Sequence, residues 1–109
     1  MHELGIVQQV IEIVSQECAG RRVRRVVLEI GKLSAVMPDA VRFCFDLAAE
    51  GTPVAGARLE IVETPGVGRC RSCGALVELL RPFGRCACDG TDLEWVSGEE
   101  LKIREMEVA

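Results

Sequence analysis

Residues 65–92, PGVGRCRSCGALVELLRPFGRCACDGTD, decide the fold of this chain because they cannot build a core by themselves. The segment is rich in glycine, arginine and cysteine, and its only apolar run is ALVELL at 75–80. Four of the six cysteines of the chain fall in it: Cys70, Cys73, Cys86 and Cys88. A segment with so little apolar surface needs another source of stability, and clustered thiols indicate a bound metal.

The four cysteines form one CxxC pair and one CxC pair, which together predict a four-sulfur zinc site. Zn²⁺ takes four thiolates in a tetrahedron at about 2.3 Å, and two pairs on hairpin tips supply them. Four sulfur ligands leave no position for a catalytic water, so the site should be structural. The alternatives are a redox-active CxxC and unpaired core thiols. Because one residue separates Cys86 from Cys88, it stays open whether both bind zinc or another donor replaces one of them.

The segments on both sides of this stretch show helix and strand patterns. Apolar residues spaced three and four apart over 4–18 predict an amphipathic helix, and Pro38 opens a second helical pattern that ends near Gly51. RRVRRVVLEIGKLS and ARLEIVET alternate as strands do, and DLEWV and LKIREMEVA predict two more strands. The fold class is therefore α+β, with a small antiparallel or mixed sheet packed by two helices and a zinc-binding insert.

Composition and charge exclude several classes of protein. The chain is 49% hydrophobic and 28% charged, as globular proteins are. No apolar run approaches the roughly 20 residues that cross a bilayer, and no secretion signal precedes the first helix, so we expect a cytoplasmic protein with no membrane partner. The net charge of -4, from 13 basic and 17 acidic residues, argues against a nucleic-acid partner.

The amino terminus offers a second candidate metal site. His2 is the only histidine of the chain. The α-amine of Met1, the His2 amide and the His2 imidazole are three nitrogen donors that suit Ni²⁺ or Cu²⁺ in tetragonal geometry, and Glu3 and Asp39 could add oxygen. Taken alone, the MHE start is also compatible with an incidental polar cap before a helix.

Several motifs, in order along the chain, resemble the HypA/HybF family of nickel metallochaperones. They are MHELGIVQQVIEIV, VVLEIGKLSAVMPDAVRFCFDLAAEGT, ARLEIVE leading into CRSCG, and the closing VSGEELKIREMEV. The resemblance covers the chain end to end. It implies a nickel-binding α+β domain, which we place at residues 1–64 plus 99–109, and a zinc-ribbon-like domain at residues 65–98.

The resemblance implies that Met1, His2 and Glu3 carry Ni²⁺, with Asp39 as the nearest candidate for a further oxygen donor. It also implies a role in the maturation of nickel-iron hydrogenase, with urease as a second candidate client. The implied partners are the accessory GTPase HypB and the hydrogenase large subunit, and we expect a monomer or weak homodimer. The chain should not be an enzyme, since it has no GxxxxGK[ST] phosphate loop and a single histidine cannot both ligate metal and serve a triad.

The zinc ligands transfer from the family to Cys70 and Cys73 directly. The family usually has CxxC in the second pair as well, which places Cys88 on the second ligand position and Arg85 on the first. Cys86 must then compensate by a shift of one residue.

Two other classes of function are weighed against this one. A zinc-ribbon adaptor for nucleic acid or protein would use the arginines at 69, 71, 81 and 85 as a basic patch, although the acidic total and the lack of interleaved aromatics oppose it. A thiol oxidoreductase would need Cys70 and Cys73 to cycle, but no βαβ frame surrounds them and zinc would cap the thiolates.

Overall fold

The computed structural model describes residues 3–109, so Met1 and His2 lie outside the described residues. Within that range the chain forms α1 (Glu3–Glu17), β1 (Val23–Gly31), α2 (Pro38–Ala48), β2 (Arg58–Thr64), β3 (Gly66–Cys70), β4 (Leu76–Leu79), β5 (Leu93–Ser97) and β6 (Leu101–Val108). The strands form two three-stranded sheets, in the orders β2-β1-β6 and β4-β3-β5. The predicted α+β class is confirmed. None of the helices in residues 3–109 is long and apolar enough to span a bilayer.

The two helices form where the apolar spacing predicts them, and they pack against each other. α2 begins at Pro38, whose fixed φ suits the first helical position and whose missing N–H costs nothing there. It buries Val41 and Phe45. α1 buries a stripe with three- and four-residue spacing, formed by Val7, Val10, Ile11 and Val14.

β1 is the central strand of the first sheet and has buried residues on both faces, although Arg24 is exposed and Arg25 and Glu29 are half-buried. Val26, Leu28 and Ile30 are buried as the alternation predicts, and Val27 between them is buried too. β2 lies at an edge of the sheet and is at most half-buried along its length. β1 therefore contributes more buried residues to the core than β2, none of whose residues is fully buried.

The second sheet is built around β3, which pairs antiparallel with both β4 and β5. Neither β3 nor β4 was predicted as a strand. The glycines of GVGRC lower the strand propensity of β3, and β4 has only four residues. Gly68 is required by packing, since a Cβ there would lie 3.0 Å from a methyl of Leu79 and 3.3 Å from Leu93 Cβ. The predicted DLEWV strand belongs to this sheet as β5, while β6 returns to the first sheet beside β1 as predicted.

The chain divides into two compact units. The first consists of residues up to Leu28, Val36–Val62 and Lys102–Ala109, and the second of Glu29–Ala35 and Glu63–Leu101. Among its hydrophobic residues the second unit buries only Ile30, Leu33 and Leu79 and the cysteines Cys70 and Cys86. A core of this size cannot stabilise a fold alone, so the second unit needs a further cross-link.

Inside the second unit, three glycines let three backbone segments meet. A side chain at Gly31 would overlap the carbonyl of Gly98, and one at Gly98 would overlap the backbone of Gly66. The amide of Gly31 donates to the Glu100 carbonyl at 2.7 Å, and that of Leu33 donates to the Gly98 carbonyl at 2.8 Å. These contacts hold the end of β1 against residues 98–100, which in turn contact Gly66 at the start of β3.

Candidate metal centre

Four thiols of the second unit converge on one point. The Sγ atoms of Cys70, Cys73, Cys86 and Cys88 all lie within 4.8 Å of one another. The separation is 3.6 Å between Cys70 and Cys88 and 3.5 Å between Cys73 and Cys86. Zinc bonds of about 2.3 Å in a tetrahedron require sulfur atoms about 3.8 Å apart, whereas a disulfide requires about 2.05 Å. The donor set and its spacing therefore fit Zn²⁺, and all four thiols are free.

The first cysteine pair lies on the hairpin between β3 and β4. Cys70 ends β3, its amide donates to the Ala75 carbonyl at 2.8 Å, and its carbonyl accepts from the Gly74 amide at 2.8 Å. Gly74 has φ +79, a conformation that glycine adopts at little cost. Hydrogen bonds from the backbone of Cys73, and then of Ser72, lower the pKa of the Cys70 thiol to about 6 against the effect of burial. The turn therefore favours the thiolate, which is the form that binds metal.

The second cysteine pair lies in the loop between β4 and β5. Its turn has the same two backbone hydrogen bonds as the first turn but contains one residue fewer. The Cys86 amide donates to the Gly90 carbonyl, and the Asp89 amide donates to the Cys86 carbonyl, each at 2.9 Å. Asp89 has φ +70 and follows Cys88 as Gly74 follows Cys73. The left-handed residue closes the shorter turn, so the structure brings both cysteines of the CxC pair into the cluster.

Gly90 packs directly on the sulfur cluster. A Cβ at this position would lie 2.9 Å from Cys70 Sγ and 3.3 Å from Cys88 Sγ. The Gly90 amide lowers the pKa of Cys88, but hydrogen bonding to the other three thiols and burial outweigh it and raise that pKa to about 12. The thiols therefore share protons that a bound cation would displace.

Replacing Asp89 with glycine should stabilise the second unit by about 0.5–1 kcal/mol, because an L-residue with positive φ carries a steric cost that glycine lacks. Ala87→Gly in the same loop is the matched control, since Ala87 does not have a positive φ. Glycine at position 87 would raise the conformational entropy of the unfolded chain and so lower the stability of the unit. The measurement is the rate at which a chelator removes zinc, which should fall for the first variant and rise for the second. Faster zinc loss from Asp89→Gly would contradict this account of the turn.

The arginines near the cluster form ion pairs with carboxylates. Arg71 Nε lies 3.2 Å from Asp92 Oδ1, and its guanidinium lies 3.7 Å from Glu94. Arg85 lies 3.9 Å from Asp89. All of these side chains are exposed, so the pairs add little stability. The carboxylates offset two of the four positive charges, Arg71 and Arg85, that a nucleic-acid adaptor would use, and this weakens the adaptor hypothesis.

Of the predicted nickel residues, Met1 and His2 lie outside the described residues, whereas Glu3 and Asp39 lie within them. Glu3 begins α1, and its Oε2 accepts a hydrogen bond of 3.1 Å from the amide of Met37. Met37 is the N-cap residue of α2, and Asp39 lies exposed in the first turn of that helix. The structure thus brings Glu3 to the start of α2, a contact across 34 residues that no local pattern predicts.

Known proteins resemble this chain over nearly its whole length. A family model described as "HypA: Hydrogenase/urease nickel incorporation, metallochaperone, hypA" matches residues 1–108. The hydrogenase maturation factor HypA of Nostoc punctiforme is 56% identical over 108 residues, which cover 99% of this chain and 96% of that protein. The one from Geotalea uraniireducens is 48% identical over 109 residues, covering 99% of each.

A solved structure shares the fold. The solution structure of the Ni metallochaperone HypA from Helicobacter pylori matches with a TM-score of 0.65. The match covers 99% of this chain and 97% of that one at 24% sequence identity, so it bears on the fold alone.

Proposed function

Because the chain belongs to the HypA family of metallochaperones for hydrogenase and urease nickel incorporation, we propose that it binds Ni²⁺ at its amino terminus and delivers the ion during maturation of nickel-iron hydrogenase. Members of this family are maturation factors, and the chain is not an enzyme. The observation that carries the proposal is the extent of the family match, which runs from residue 1 to residue 108 and includes the Met-His-Glu start. Urease is a second candidate client.

The proposed nickel ligands are the α-amine of Met1, the amide and imidazole of His2, and a carboxylate oxygen of Glu3. Nitrogen donors in a plane with added oxygen suit Ni²⁺. The hydrogen bond from the Met37 amide orients the Glu3 carboxylate at the start of α2, which supports its use as a donor. Asp39, in the first turn of the same helix, is the further oxygen donor that we propose.

Zinc has a different role in this proposal. Cys70, Cys73, Cys86 and Cys88 would hold one Zn²⁺, which supplies the cross-link that the small core of the second unit lacks. Four sulfur ligands leave no coordination position for water, so the ion would be structural. The proposed domains are a nickel-binding domain of residues 1–64 plus 99–109 and a zinc-binding domain of residues 65–98.

The proposed partners are the accessory GTPase HypB and the hydrogenase large subunit, in the cytoplasm. Nucleotide hydrolysis would belong to HypB. A chelate formed by the amino-terminal residues would suit transfer, because an acceptor could replace its donors one at a time.

A nickel titration of zinc-loaded protein with a native amino terminus tests the proposal. We expect one Ni²⁺ per chain, and a short glycine-serine extension before Met1 should weaken binding. Loss of a residue that only hydrogen-bonds a metal ligand typically lowers metal affinity about 10- to 100-fold. Loss of the amine, a direct ligand, should lower nickel affinity at least as much. The same extension placed after Ala109 is the control and should change nothing. Absence of nickel binding to the native protein would refute the proposal, whereas equal affinity with and without the amino-terminal extension would remove the amine from the ligand set.

A further inference from the structure

Helix α2 has a second apolar surface besides the one that it buries. Met37, Phe43 and Leu47 are 63%, 66% and 61% exposed, although Val41 and Phe45 already supply the buried face of the helix. Phe43 and Leu47 are four residues apart, and Ala40 precedes Phe43 by three, so these side chains are neighbours on the helix surface. We call Met37, Ala40, Phe43 and Leu47 the α2 stripe. Large apolar side chains that lie side by side on an exposed helix surface commonly mark an interaction site.

A row of acidic residues runs beside the α2 stripe. Asp39, Asp46 and Glu50 are exposed. The spacing of seven residues places Asp39 and Asp46 on one side of the helix, and Glu50 follows just beyond its C-terminal end. Within residues 3–109 none of the three carboxylates forms an ion pair. Arg42, the only basic residue of α2, donates instead to the Leu59 carbonyl at 3.2 Å. This surface of the protein therefore has an apolar stripe with a row of negative charges beside it.

We propose that the α2 stripe and its acidic row form a docking surface for a partner protein, which presents an amphipathic helix with apolar residues flanked by lysine or arginine. The apolar line would supply the buried centre of the interface, and the acidic row would select a basic rim and speed association. This surface begins at Met37, whose amide donates to the Glu3 carboxylate. Asp39 is also a proposed nickel donor, so the surface is tested in zinc-loaded protein without added nickel, and its charge is varied at Asp46 and Glu50.

A second copy of the chain fits the surface less well than a basic partner does. A two-fold contact of α2 with α2 would place the same surface on both sides, and both acidic rows would enter one interface. Like charges brought together in an interface oppose association. The charge pattern therefore favours a partner of opposite sign.

The test uses the full zinc-loaded chain and a short synthetic helical peptide of leucine and lysine, with a leucine-glutamate peptide of the same pattern for comparison. The leucine-lysine peptide should bind, and the amide NMR signals that shift should be those of α2. The double substitution Phe43→Ser with Leu47→Ser should weaken binding about tenfold or more, because it removes most of the apolar contact area. Leu80→Ser with Phe83→Ser, at residues of the second unit that are 63% and 85% exposed, is the matched control and should bind as the native chain does.

Charge reversal supplies a second test that leaves the apolar residues in place. The double substitution Asp46→Lys with Glu50→Lys should lower the affinity for the leucine-lysine peptide and raise the affinity for the leucine-glutamate peptide. Added salt should reduce both changes in affinity. Equal binding of the two peptides to the native chain would overturn the proposal, as would unchanged affinity of the Phe43→Ser and Leu47→Ser variant. A native dimer that this variant converts to monomer would show instead that the surface joins two copies of the chain.

Discussion

Cys70→Ser should abolish stoichiometric zinc binding and unfold the second compact unit. Cys70 is almost fully buried, and its Sγ is one of the four of the cluster, 3.6 Å from Cys88 Sγ. Structural zinc contributes about 10–16 kcal/mol in small domains, while the buried hydrophobic residues of the second unit other than cysteine are Ile30, Leu33 and Leu79. Burial of an aliphatic side chain contributes only about 1.5–3 kcal/mol, so the apolar core of this unit cannot replace the free energy of zinc binding. The first unit should stay folded, because its buried residues from α1, β1 and α2 form a separate core.

Zinc content by elemental analysis and the amide NMR spectrum measure this result. Signals of residues from the second unit should collapse toward unfolded positions, and those of the first unit should keep their dispersion. Cys44→Ser is the matched control, because Cys44 lies in α2 outside the cluster and its loss should leave one zinc per chain. A Cys70→Ser protein with full zinc content and a native spectrum would contradict the four-sulfur site.

His2→Ala should abolish nickel binding in the micromolar range while zinc stays near one per chain. The imidazole is the only histidine donor of the sequence, and alanine offers no ligand atom in its place. The zinc cluster shares no ligand with the proposed nickel site, so the two metals should respond independently. Calorimetric titration of zinc-loaded protein with Ni²⁺, followed by elemental analysis, separates the two sites.

Two further variants sharpen the nickel experiment. Gln9→Ala removes an exposed polar side chain from α1 and should bind nickel as the native chain does. Glu3→Gln keeps an oxygen that can accept the Met37 amide but removes the negative charge, so nickel affinity should fall between those of the native chain and His2→Ala. Loss of zinc together with nickel in His2→Ala would refute the model of two separate sites.

Local sequence patterns were sufficient for the elements of the first unit. The spacing of Val7, Val10 and Val14 predicts α1, Pro38 marks the start of α2, and the alternation around Leu28 predicts β1. The periodicity of a buried face repeats within a few residues, so it can be seen without the rest of the chain. The pairing of CxxC with CxC likewise predicted a sulfur cluster, since ligand chemistry depends on residue type and spacing.

Local patterns failed where the structure depends on distant contacts. β3 was missed because Gly66 and Gly68 lower strand propensity, and the reason for those glycines is packing against Leu33 and Leu79. Val27 is also buried, on the strand face opposite Val26 and Leu28, and the alternating pattern did not predict its burial.

The sequence by itself determined the α+β class, the two helices, the central strand and the identity of the clustered thiols, because each depends on residue type and short-range spacing. Only the tertiary structure decided that Cys86 and Cys88 both join the cluster, that Asp89 closes the shorter turn, and that the Glu3 carboxylate lies at the start of α2. It also decided that Phe43 and Leu47 remain exposed. These features depend on which distant segments pack together, and the free energy of such contacts does not appear in any local stretch of the chain.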